Sequence, residues 1–200
     1  MGHDHVRADA DALKLHEETL ALRKAKLGPD HPHTLYSMGN LAHSLVILDR
    51  GAEAVPIIDE CLQRAARKLV HPQLIPTVMD LRLRHFEKTK DAAGCRATAE
   101  MWEKLKRTDS GSLYDAACMR AVTAAVIKKA LKTPGADANR LAKEEADRAM
   151  AWLKQAVAAG FKDAAHLMQN KDLDVLRDLQ DFKELVAKLA AGPTEKKSRR

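Results

Sequence analysis

Apolar residues along most of this chain recur every three or four positions. From Thr34 to Leu48 they fall at Leu35, Met38, Leu41, Ala42, Leu45 and Leu48, a spacing that gathers them into one stripe of a helix. Arg50-Gly51 interrupts the stripe. A second one follows at Ala54, Val55, Ile57, Ile58, Cys61, Leu62, Ala65 and Leu69. Pro56 has no N–H to donate and fits only a first turn, which predicts a helix start near Glu53. Before Thr34, the run Leu27-Gly28-Pro29-Asp30-His31-Pro32 supplies a helix-ending Gly, a Pro-Asp turn and a Pro to open the next helix. The same pattern predicts helices over Leu74–Lys88, Asp91–Leu105, Ser112–Leu131 and Asn139–Ala159, with Thr133-Pro134-Gly135 separating the last two.

The stripes repeat. Ala10-Asp11-Ala12-Leu13 returns as Ala52-Glu53-Ala54-Val55, and at the same offset of 42 Glu18 meets Glu60, Leu20 meets Leu62 and Lys26 meets Lys68. Gly94 and Ala149 take the place of Ala54 in weaker copies. Small residues recur where paired helices must cross closely: Ala42, Ala54, Cys61, Gly94, Ala117, Ala149 and Ala156. A helix pair cannot bury both faces alone, so neighbours stack. The predicted fold is all-α, a right-handed superhelical solenoid of antiparallel helix pairs. It spans residues 9–191, with approximate repeats 9–29, 30–70, 71–108 and 109–160. A capping segment, 161–191, closes it through Leu173, Leu176, Phe182, Leu185 and Leu189. Residues 1–8 read as a flexible N-terminus and 192–200 as a disordered basic tail.

Composition supports helices. Ala (34) and Leu (25) carry the apolar content against 10 Val, 5 Ile and 7 aromatic residues, a poor supply for a β-sandwich or barrel. No apolar run approaches the roughly 18 residues of a membrane span, and the polar start Met1-Gly2-His3-Asp4-His5 is no secretory signal. Three widely spaced cysteines, Cys61, Cys95 and Cys118, form no disulfide framework or C-x-x-C pair, which points to a reducing, cytoplasmic setting. The net charge is +6, but it is local. Residues 62–90 hold seven Lys/Arg against two acids and residues 195–200 hold four against one, leaving the remainder net negative. Arg64, Arg67, Lys68, Arg82, Arg84 and Lys88 therefore form a candidate basic patch.

The segment His16–Leu35, HEETLALRKAKLGPDHPHTL, followed by Met38, Asn40, Leu41 and Ala42, resembles the tetratricopeptide repeat in its 42-residue, kinesin-light-chain-like form. That form carries an L-G-x-D-H-P link before a helix with N-x-A. The second half is similar to the C-terminal tetratricopeptide regions of planctomycete-type bacterial serine/threonine kinases. There the likeness rests on Leu113–Cys118, on Ala149–Val157, and on Asp172–Arg177 with Phe182 and Leu185. The resemblance implies a concave groove lined by the first helix of each pair, here Tyr36, Asn40, His43, Met79, Leu83, Phe86 and Tyr114. The chain departs from the family at Asp49, where the turn usually has Gly, at Arg82, normally small, and at Gly39, normally polar. Gly39 and Asp80 occupy two positions of the carboxylate clamp, which argues against a chaperone-tail ligand. The first copy has only its second helix, since nine residues precede it. Its bare face points either to a longer parent chain, the reading we expect, with weak self-association as a consequence, or to pairing with another molecule.

Candidate chemistry is sparse. His3-x-His5 and His31-x-His33 are weak chelating spacings, and His16-Glu17-Glu18-Thr19-Leu20 has Leu where H-E-x-x-H needs its second ligand. No metal or cofactor is expected. Cys61 and Cys118 fall on core stripes, where Cys acts as a small hydrophobe. Trp102 and Trp152 read as buried packing. No G-x-S-x-G, P-loop or kinase catalytic-loop motif occurs, so no enzyme is expected. The basic patch lacks aromatic stacking platforms, which argues against nucleic acid. The expected function is a non-catalytic scaffold that binds a peptide or helix of a protein partner. The alternative is the regulatory or targeting end of a larger serine/threonine kinase.

Overall fold

The structure, a computed structural model, describes residues 2–66, 70–130 and 135–191, with side chains from residue 10 onward. Among these it is all-α. The helices are α1 (Gly2–Leu27), α2 (Pro32–Ile47), α3 (Gly51–Ala65), α4 (Leu74–Lys88), α5 (Ala92–Lys104), α6 (Ser110–Ala130), α7 (Ala136–Ala158), α8 (Ala164–Gln169) and α9 (Gln180–Ala190), with a 3-10 turn at Lys171–Leu176 before α9. They gather into two compact units, Met1–Lys88 and Thr89–Arg200. The boundary falls inside the stretch 71–108 that periodicity reads as one repeat.

Two expectations are corrected. α1 begins at Gly2, so residues 2–8, read as a flexible lead, form its first turns. No Pro or internal Gly interrupts that stretch, and its Ala and charged residues tolerate a helix. Pro56 lies inside α3, since the helix starts at Gly51. The N–H groups of Glu53 and Ala54 bond to Arg50 O, at 2.9 and 3.3 Å. Pro56 thus forfeits one bond, to Ala52 O, and both residues are on the exposed side, where water can serve that carbonyl.

In the first unit α2 is central and packs against α1, α3 and α4. The core holds Leu13 and Leu20 of α1, Leu35, Met38 and Leu45 of α2, Ile58 and Cys61 of α3, and Leu74 and Val78 of α4. Ala42 and Ala54 are fully buried at the crossing. Gly39 is buried as well: a Cβ there would stand 3.1 Å from Leu74 Cδ1 and 3.4 Å from Val78 Cγ1. Its departure from the family pattern is therefore a close helix crossing. The link before α2 is built from the residues of its motif. Gly28 has φ +87, Thr34 Oγ1 donates to Gly28 O at 2.9 Å, and His31 Nδ1 caps α2 by accepting from His33 N at 3.2 Å.

In the second unit α6 packs against α5, α7 and the 3-10 turn. Leu153 and Ala156 of α7, Leu167 of α8, Leu173 and Leu176 of the turn and Phe182 of α9 complete its core.

Candidate protein-binding surface

α2 is covered on the sides that meet α1, α3 and α4, and its remaining face is bare. Tyr36, Asn40 and His43 fall on that face at helical spacing. Tyr36 is 49% exposed, His43 is exposed and Asn40 is half-buried. Ile47, four residues beyond His43, extends the row and is 56% exposed. The row thus carries a large apolar side chain at each end and two hydrogen-bonding side chains between. Sequence reasoning missed Ile47, although its spacing from His43 was a sufficient signal.

The other groove residues do not join this row. Met79 and Leu83 are buried, at 1% and 2% exposure, and Phe86 is half-buried under the Arg82 guanidinium, 4.8 Å from its ring centre. Tyr114 belongs to the second unit, where its ring stacks on Phe161 at 4.7 Å and Asn170 Nδ2 donates to its hydroxyl at 2.5 Å. Met79, Leu83 and Tyr114 are thus largely covered within the folded chain.

The described cations of the candidate basic patch stand in ion pairs. Arg64 pairs with Asp30 at 2.6 Å and Glu60 at 2.8 Å, Arg82 with Asp59 at 2.9 Å, Arg84 with Asp80 at 3.1 Å and Glu87 at 3.0 Å, and Lys88 with Asp49 at 2.6 Å. Arg67 and Lys68 lie outside the described residues. Asp30, Asp49, Asp59 and Glu60 stand outside the 62–90 window in sequence, and folding brings them to its cations. The sequence count of charge thus overstates what a partner would meet.

The tetratricopeptide repeat family matches residues 4–33 and 34–72. Residues 4–72 are thus similar to tetratricopeptide repeats. No curated protein and no solved structure matches it. The second tetratricopeptide match contains α3 and α2 from Thr34 onward, so the bare α2 row lies on the first helix of that match. The repeat fold is generally non-catalytic and generally mediates protein–protein interaction.

Beyond the tetratricopeptide matches, the second unit is organised by charge. Arg120, only 1% exposed, donates to Glu103 Oε2 at 2.6 Å, Glu103 Oε1 at 2.8 Å and Glu145 Oε2 at 2.9 Å. Arg96 pairs with Glu145 at 2.9 Å, and Trp152 Nε1 donates to Glu103 Oε1 at 2.8 Å. Trp152 is therefore half-buried with a polar task, while Trp102 is buried as expected. Desolvation works to raise the Glu103 carboxyl, but hydrogen bonds from Arg120 and Trp152 hold it below its ordinary value. An open depression of about 530 Å³ lies beside this cluster, lined by residues that include Lys106, Arg107, Leu113 and Trp152. Nucleophilic chemistry finds little support. All three cysteines are buried, and desolvation pushes the Cys61 thiol up to about 11, leaving it protonated near neutrality. No group of three metal-ligating side chains occurs among the described residues, and none of their helices is long and apolar enough to cross a membrane.

Proposed function

We propose that this chain is a non-catalytic scaffold that grips a peptide or helix of a partner protein along the α2 row Tyr36, Asn40, His43 and Ile47. The observation that carries the reading is the bare row itself. α2 packs against three neighbours, yet keeps two large apolar side chains half in water at the ends of its fourth face. Eleven residues separate them, about 16 Å along the axis, three turns of a docked helix or a short extended strand. Tyr36 and Ile47 supply affinity by losing water on docking, while Asn40 and His43 fix the register by hydrogen bonds. The neutralised Arg64 and Arg84 contribute little to the choice of partner.

Selection of displayed random peptides against the folded chain tests this. Selected peptides should lose roughly tenfold in affinity for Tyr36→Ala and again for Ile47→Ala, with helical content unchanged by circular dichroism. Peptides that bind the double variant as tightly as the parent would remove α2 as the contact.

A further inference from the structure

α1 presents two opposed apolar faces. Leu13 and Leu20 point into the core, at 6% and 7% exposure. Leu15 and Leu22 point away from it and are 62% and 59% exposed. Each pair is seven residues apart, two turns of helix, so each keeps to one side. Charged residues flank the outer pair at a symmetric distance. Asp11 precedes Leu15 by four residues and Lys26 follows Leu22 by four, giving Asp-x3-Leu-x6-Leu-x3-Lys. Asp11 and Lys26 are both exposed, and neither has an ion partner among the described residues. Ala12 and Ala25 sit just inside the charges, also symmetrically.

This pattern is its own complement when reversed. About a twofold axis between Glu18 and Thr19, an antiparallel second α1 would place Leu15 opposite Leu22 and Asp11 opposite Lys26, and the same contacts twice over. Glu18 would face Thr19, and Lys14 already stands 4.0 Å from Glu18 in the same helix. A parallel pairing would set Asp11 against Asp11 and Lys26 against Lys26. We infer that the outer face of α1 is an isologous contact, on which a second copy of this chain packs antiparallel with Leu15 against Leu22 and Asp11 against Lys26. Four leucines and two exposed ion pairs fall short of the roughly 800 Å² per partner of a standard stable interface. The dimer is accordingly a weak one that fills only at high concentration. Leucine burial drives it and the charges set its direction.

Sedimentation equilibrium of the full chain, from micromolar to millimolar, reads this directly. The parent should show a monomer–dimer equilibrium that Leu15→Glu abolishes. Asp11→Lys alone and Lys26→Asp alone should each weaken it, and the double exchange on one chain should restore it, which only the antiparallel register predicts. An equimolar mixture of the two single variants should associate better than either alone. Circular dichroism checks that each variant keeps its helices. A strict monomer up to millimolar concentration would overturn the inference and assign the face to a different partner. A dimer indifferent to Leu15→Glu, or a double exchange that behaves like the single ones, would overturn it equally.

Discussion

The two units differ in how far they take charge into the interior. In Met1–Lys88 most ion pairs lie at the surface over an apolar core, such as Arg64 with Asp30 and Glu60 and Lys88 with Asp49, and Arg82, largely buried, reaches the more exposed Asp59. Both members of the Lys88–Asp49 pair are more than half exposed, so water competes for them and their net worth is small. Thr89–Arg200 has exposed pairs too, such as Lys143–Asp147, but one cluster runs through its interior. Arg120 is essentially without solvent, Glu145 nearly so, and their partners come from α5 and α7. There each charge has been taken out of water at a cost of several kcal/mol and depends on the others to offset it. The first unit tolerates the loss of a pair because apolar stripes hold its helices. The second has committed three helices to one charge cluster.

The largest test of that contrast is Arg120→Met. It removes the cation that Glu103 and Glu145 share, leaving them only Trp152 and Arg96, and should cost about 3–5 kcal/mol, read as an earlier urea transition. Replacing Arg120, Glu103 and Glu145 together by apolar residues should recover most of that loss. In the first unit the comparable damage comes from shape. Ala54→Phe overfills the α2–α3 crossing and should cost about 1–3 kcal/mol, by the same measurement. Acid separates the units further. Because the fold holds the Glu103 carboxyl below its ordinary value, its contribution is complete above the unfolded value, about 4.3, and is lost as pH falls through the lower folded value. Thermal melts between neutral pH and pH 3 should therefore lose more for the parent than for Glu103→Gln. Arg64→Gln, at an exposed pair, should lower the urea midpoint by less than Ala54→Phe does. Smallest, and opposite in sign, Asp49→Gly should stabilise by about 0.5–1 kcal/mol, since Asp49 holds a left-handed φ of 62 that glycine adopts freely.

Much of the fold was legible because its signals are local. The stripe through Leu35, Met38, Leu41 and Leu45, the Gly28–Pro32 link and the small residues Ala42 and Ala54 each act within one helix or one crossing, and each is where the spacing put it. Asp49 shows the same logic, since a turn that prefers Gly still takes its left-handed backbone when Asp occupies it. The site was less legible. Tyr36, Asn40 and His43 were placed by the resemblance to the repeat family, which puts the groove on the first helix of each pair. Whether Met79, Leu83 or Tyr114 stayed open depended on what covers them, and for Tyr114 the cover is Phe161 and Asn170, 47 and 56 residues away in sequence.

The sequence by itself determined the helices, their links and their repeat, because helical period, caps and breakers are set by residues a few positions apart. Through the family resemblance it also placed Tyr36, Asn40 and His43 on α2, but not Ile47. Only the tertiary structure decided which charges were available. Asp30, Asp49, Asp59 and Glu60 neutralise a cluster that a window of sequence shows as strongly basic, and Arg120 finds Glu103 and Glu145 across two helices. Coulomb attraction acts through space, so the partners of a charge are set by packing and not by position along the chain.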